Sequence, residues 1–210
     1  MKALPIILAS KSPRRRELLT LFDVPFQVVP STAREVHDQQ LTAWEMAQVN
    51  AYRKARAVAR RFPDALVIGA DTMVYLDRDT RLLGKPTSQR DAAAMLRALA
   101  GRVHAVITGV CLLHLRERRR RVFTDWTDVQ FHPLTAAQIR AYLRLIDPMD
   151  KAGAYAIQEH GDRIIAALFG SYSNVVGLPM ERLREELKAF GFFHPRPRPA
   201  QTRRRPAALR

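Results

Sequence analysis

The chain has 210 residues, of which 47% are hydrophobic, and carries a formal net charge of +15 at pH 7. This is ordinary globular material, long enough for one fairly large domain, and it has no apolar run near the roughly 20 residues that cross a bilayer. Its only cysteine, Cys111, excludes an intrachain disulfide and a thiolate zinc cluster.

The first apolar run, "LPIILA" (4–9), predicts a strand. It is too short for a secretory signal and leads straight into a basic motif, so a cytoplasmic protein is expected. "SKSPRRREL" (10–18) then reads as a helix start, with Ser12 as N-cap and Pro13 in the first turn. Arg14, Arg15 and Arg16 stand where the helix already has a partial positive charge. Either they are solvated, or this end holds an anion. Backbone N–H groups, the hydroxyls of Ser10 and Ser12, and guanidinium forks suit a phosphate.

Further strands are expected at "FQVV" (26–29), "ALVIGA" (65–70) and "MVYL" (73–76), then at 103–115, 121–131 and 163–169. Between them lie helical patterns. Residues 41–61 open on Thr42 and Glu45, spaced as a capping box, and residues 134–146 on Thr135 and Gln138 in the same way. Residues 88–101 open on Ser88 and close on Gly101, and residues 179–191 start at Pro179. Strands and helices alternate early, while 103–131 reads as an antiparallel pair. The expectation is an α/β domain over 1–193 with a mixed sheet in two lobes.

Much of the charge lies in two places. The tail 194–210 has six Arg and no acid, and "RERRRR" (116–121) has five Arg and one Glu, so these hold ten of the fifteen charges. The tail's prolines forbid a regular element and predict disorder. The second run predicts an exposed hairpin tip. Solvated charge is one reading of both; weak nucleic-acid contact is the other.

Four stretches suit chemistry. Asp71 in "GADTMV" follows a strand and could bind a divalent cation, activate water or make a turn. Lys85 in "LLGKP" is fixed by a tight turn. Lys54 shares a helical face with Met46, Asn50 and Val58, and either snorkels or points into a cleft. "DKAGAYAIQ" (150–158) and "GSYSNVVGLP" (170–179) read as glycine-containing loops where Tyr155 or Tyr172 could stack on a base and Gln158 could read its edge. No phosphate-loop or dinucleotide signature and no zinc-like histidine spacing is present.

"LASKSPRRRELL", "GADTMVYLD", "LGKP", "MLRALAGRVHAVITGV", "DKAGAYAIQ" and "GSYSNVVGLP" together resemble, in order, the Maf family of nucleotide pyrophosphatases. The resemblance runs from about residue 4 to residue 191. It implies hydrolysis of nucleoside triphosphates to monophosphate and pyrophosphate with a divalent cation, Mg2+ or Mn2+, as house-cleaning of the nucleotide pool. It implies a mixed, elongated sheet flanked by helices, with two lobes around a cleft as in ITPase-like folds, and a homodimer. The family's catalytic acid falls on Asp71, a further carboxylate and metal ligand on Glu35, and the phosphate-binding set on Arg14, Arg15, Lys54 and Lys85, beside Ser10.

Arg14, Thr72 and Gln158 match the branch acting on dTTP and UTP. The branch acting on 7-methyl-GTP carries an apolar or aromatic residue, Gln and Glu there. A Gln158 amide, with donor and acceptor, suits the O4/N3–H edge of uracil or thymine. Ala100 and Ala156 depart from the family pattern with small residues, and the tail lies outside it. A regulator of cell division that acts by binding is the alternative, favoured only by the tail.

Overall fold

Three long antiparallel strands form the spine of the molecule. The computed structural model describes residues 4–38, 40–76 and 81–193. The spine is β3 (Leu66–Leu76), β5 (Val103–His114) and β6 (Arg119–Phe131), paired continuously. At ~3.4 Å per residue, the longer of these spans roughly 40 Å, enough to run through two lobes. Short β1 (Ile6–Leu8) and β2 (Phe26–Val28) add in parallel beside β3, and β4 (Arg81–Leu83) pairs antiparallel with its far end. β7 (Ile165–Phe169) closes the other edge, giving a seven-stranded mixed sheet.

Helices cover both faces. α2 (Ala43–Ala59) packs along one face, under Val67, Met73 and Tyr75 of β3. On the opposite face, α1 (Pro13–Thr20) and α6 (Met180–Lys188) cover Leu66, Ile68 and Ala70 at one end. α3 (Gln89–Leu99) and α4 (Ala136–Leu143) cover Val74 and Leu76 at the other. These two cores are the two expected lobes. Strand alternation leaves Thr72 between them.

The helix starts follow their caps. Thr42 and Thr135 form complete capping boxes with Glu45 and Gln138, and Ser12 and Ser88 accept from N–H groups three residues on. Cys111 is a packing residue: it is fully buried, and burial pushes its thiol up to about 12.

Three details differ from the sequence reading. Residues 65–70 and 73–76 are one strand, because β5 pairs with β3 straight through Asp71 and Thr72. Asp71 therefore lies in mid-strand, not at a strand end. The stretch 170–179 contains a short helix, α5 (Tyr172–Val176), capped by Ser171 and ended by Gly177. Of the 116–121 run, Arg119–Arg121 lie inside β6 rather than at a tip. Arg119 stacks over Phe190 and Arg120 over Tyr52, at 4.4 and 5.2 Å from the ring centroids. The tail 194–210 lies outside the described residues.

Candidate active site

A break in one sheet edge makes the site. The N–H of Ala9 donates to the Ile68 carbonyl at 2.8 Å, and β1 pairs with β3 no further. β4 takes up the same edge only at Val74. Residues 70–73 of β3 thus have a strand neighbour on one side only, and a cleft opens at the break. It has a larger chamber of about 430 Å³ and an adjoining one of about 270 Å³. Arg14, Arg15, Glu35, Lys54 and Lys85 line both chambers, and Asp71 lines the larger. The smaller adds Ser10 and Lys11; the larger adds apolar walls from Val74, Leu83, Tyr155, Ile157 and Val175.

One wall is built by α2. Gly69 and Gly109 let it approach the sheet closely: a Cβ at either would collide with the helix backbone, at the Ala51 and Ala47 carbonyls respectively. Asn50 and Lys54, one turn apart, therefore reach Asp71. The Lys54 ammonium donates to Asp71 Oδ1 at 2.5 Å and to Glu35 Oε1 at 2.6 Å. Asn50 Nδ2 donates to Asp71 Oδ2 at 3.1 Å, and the Asn50 amide also bonds the N–H and carbonyl of Val36. Asn50 thus ties the segment carrying Glu35 to the strand carrying Asp71. Burial pushes the Glu35 carboxyl up, but the hydrogen bond and charge of Lys54, with Lys85 and His37, outweigh it and hold Glu35 below its ordinary pKa.

The opposite wall comes from α1. The Arg15 guanidinium replaces the missing strand. It donates to the Ala70 carbonyl at 2.9 Å, the Gly177 carbonyl at 2.7 Å, Thr72 Oγ1 at 2.8 Å and, at 3.5 Å, Ser10 Oγ. Burial draws its pKa down, with Asp71 and Glu35 opposing. Arg15 lines the cleft, yet most of its N–H groups go to protein acceptors. Arg14 reaches across the mouth to Asp150 Oδ2 at 3.1 Å. Asp150 also pairs with buried Lys151 at 2.8 Å, which bonds the Asp147 carbonyl and reaches Glu159 at 3.3 Å.

The cleft gathers Ser10, Arg14, Arg15, Glu35, Lys54, Asp71, Thr72, Lys85 and Gln158. Tyr155 lines it as well, with its hydroxyl bonded to His104 Nε2 at 2.8 Å. Tyr172 does not line it and is half exposed on α5. Sequence reasoning missed the roles of Asn50, Asp150 and Lys151. Asn50 shares a helical face with Lys54, which was the available signal.

An interrupted mixed sheet with cationic and acidic side chains converging at the interruption defines an α/β protein whose cleft suits a phosphorylated ligand. The fold agrees with a solved structure, the Staphylococcus aureus Ham1 protein, at a TM-score of 0.54 and 14% identity, covering 89% of this chain and 99% of that one. A Ham1 protein from Coxiella burnetii superposes at 0.51, also at 14% identity, covering 89% and 98%.

Residues 5–190 match the model of the Maf-like protein family, and the chain belongs to that family. It is 46% identical over 187 residues to a dTTP/UTP pyrophosphatase of Pelotomaculum thermopropionicum, covering 89% of this chain and 97% of the relative. A dTTP/UTP pyrophosphatase of Bacillus velezensis is 44% identical over 185 residues, with 88% and 96% covered. No helix among the described residues is long and apolar enough to cross a membrane.

Proposed function

We propose that this chain hydrolyses dTTP and UTP to the monophosphate and pyrophosphate, and so clears the nucleotide pool. The observation that carries this reading is the partition of the cleft. Arg14, Lys54 and Lys85, which line both chambers, suit a triphosphate, and the apolar walls of the larger chamber suit a base. The names of the relatives supply the substrate class.

Glu35 and Asp71 both turn oxygens toward Lys54, so negative charge converges at one point. Among the described residues no group of three or more His, Cys, Asp or Glu could hold a metal alone. Two carboxylates suit a hard divalent cation such as Mg2+ or Mn2+. Asp71 and Glu35 would hold the ion, and when bound it neutralises charge on the phosphate oxygens.

The chain's own residues do the rest. Arg14 and Lys85 bind the triphosphate oxygens, with the Ser10 hydroxyl beside them, and Lys54 holds Asp71 and Glu35 in register. Asp71 orients a water and takes its proton. The water oxygen bonds to the α-phosphorus as the bond from that phosphorus to the bridging oxygen breaks, and pyrophosphate leaves with that oxygen. Arg14, Thr72 and Gln158 select the base. The same reading carries a domain over 1–193 and a cytoplasmic homodimer; weak nucleic-acid contact through the tail 194–210 is a separate reading of its charge.

A panel of nucleoside triphosphates with pyrophosphate detection, with Mg2+ or Mn2+ and after chelation, tests it. Pyrophosphate from dTTP and UTP, lost on chelation and restored by the ion, is the expected result. Preference for 7-methyl-GTP, or release of orthophosphate alone, overturns it. Gln158→Glu should reduce UTP hydrolysis without changing the melting temperature.

A further inference from the structure

The Lys54 ammonium stands between two carboxylates. It lies 2.5 Å from Asp71 Oδ1 and 2.6 Å from Glu35 Oε1, so one nitrogen joins the two groups assigned above to a divalent ion. The other Asp71 oxygen, Oδ2, accepts from Asn50, whose amide is itself held on the N–H and carbonyl of Val36. The Asp71 side chain is buried in mid-strand. Oδ1 is therefore the Asp71 oxygen left for a cation, and the ammonium already has it.

Mg2+ bonds its oxygen ligands at ~2.0–2.1 Å. On the same two oxygens it would meet a second positive charge at close range, in a cleft that also holds Arg14 and Lys85. Like charges so close repel strongly where water is largely excluded. Lys54 can relieve this repulsion by moving. Its four-carbon stem is flexible, and it lines both chambers of the cleft.

We propose that Lys54 is a resident counter-ion that competes with the divalent cation for Asp71 and Glu35, so that the cation enters only as the ammonium leaves. Without nucleotide the protein therefore holds the ion weakly. The displaced ammonium stays within the cleft, where a triphosphate oxygen can take it, so ion and nucleotide favour each other's binding. This rests on the proposed assignment of Asp71 and Glu35 as ion ligands. It adds what must happen to the group already between them.

The test titrates Mn2+ into nucleotide-free protein and reads the free ion by electron paramagnetic resonance. Lys54→Met should bind Mn2+ at least about tenfold more tightly than the wild type. Mn2+ should also raise the melting temperature of Lys54→Met by more than it raises that of the wild type. Lys85→Met takes a charge from the same cleft and leaves the Lys54 contacts in place. Lys85 is exposed, so its charge is screened and affinity should change less than about threefold. In the wild type, the side-chain NMR signal of Lys54 should move as Mg2+ saturates the protein, a measurement that needs no variant to fold.

Equal Mn2+ affinity in Lys54→Met and the wild type overturns the inference. So does a Lys54 signal that stays fixed at saturating Mg2+, or an equal gain of affinity in Lys85→Met. Mn2+ binding that neither Glu35→Gln nor Asp71→Asn weakens overturns the assignment of the ion's ligands itself. Binding weakened by both of those changes, with no gain in Lys54→Met, overturns this inference alone.

Discussion

Lys54 and Asp71 meet at 2.5 Å at the open edge of β3, and the same ammonium reaches Glu35. The side chains of Lys54 and Asp71 are 14% and 7% exposed, so their contact is largely shielded from water. Asp71→Asn keeps the shape and the Asn50 contact but removes the charge. Turnover should fall roughly 10²–10⁴-fold while the melting temperature stays within a few degrees. Lys54→Met should instead destabilise by roughly 3 kcal/mol, because it leaves the buried Asp71 charge without its partner. Steady-state kinetics and urea unfolding of both variants separate the two effects.

Arg14 is held by Asp150 across the cleft mouth, and a triphosphate must compete for it. Asp150 is half exposed, so the pair is modest, on the order of 0.2–1 kcal/mol. Asp150→Asn should free Arg14 and lower KM for UTP by up to about fivefold, a direction opposite to most changes in a binding cleft. KM measured at low and at high salt checks it, since screening should shrink the difference.

Gly69 lies under α2, with the Ala55 N–H only 2.6 Å from where a Cβ would stand. Gly69→Ala must push the helix outward, and the backbone atoms it meets cannot rotate away. Overpacking of this kind destabilises by about 1–3 kcal/mol. Activity should fall further than stability alone explains, because α2 carries both Asn50 and Lys54. A melting curve and a kcat measured well below the transition distinguish the two.

His104 is buried among Phe131 and Tyr155, bonds the Tyr155 hydroxyl, and has no partner at Nδ1. Burial lowers its pKa to about 3. The sign follows from proton uptake. Between about 6.5 and about 3 the unfolded chain binds a proton that the folded chain does not, so stability is lost as pH falls through that window. From pH 7 to pH 5 this group should remove about 2 kcal/mol. In His104→Gln the loss over the same range should be smaller by that amount, measured by urea unfolding at the two pH values.

The local signals were legible where the chemistry is local. The capping boxes at Thr42 and Thr135 and the Ser12 cap are contacts within one turn, so residue spacing reveals them. The reading failed at Asp71 and Thr72. Two polar residues after "VIGA" resemble a strand end, but β5 pairs through them, and Lys54, Arg15 and Thr108 satisfy their side chains. All of those partners are distant in sequence. α5 was missed because five residues are too few to show a helical period.

By itself, the sequence determined which residues carry the charge and hydrogen bonds, where helices start, and the order of motifs that marks the family. Only the tertiary structure decided that β1 stops at Leu8 and β4 begins pairing at Val74, which opens the sheet beside Asp71. It also decided that Lys54, Asn50 and Glu35 gather around Asp71. The reason is that an edge left unpaired and a cluster of charged side chains both depend on partners supplied by other elements, and no short stretch of chain contains them.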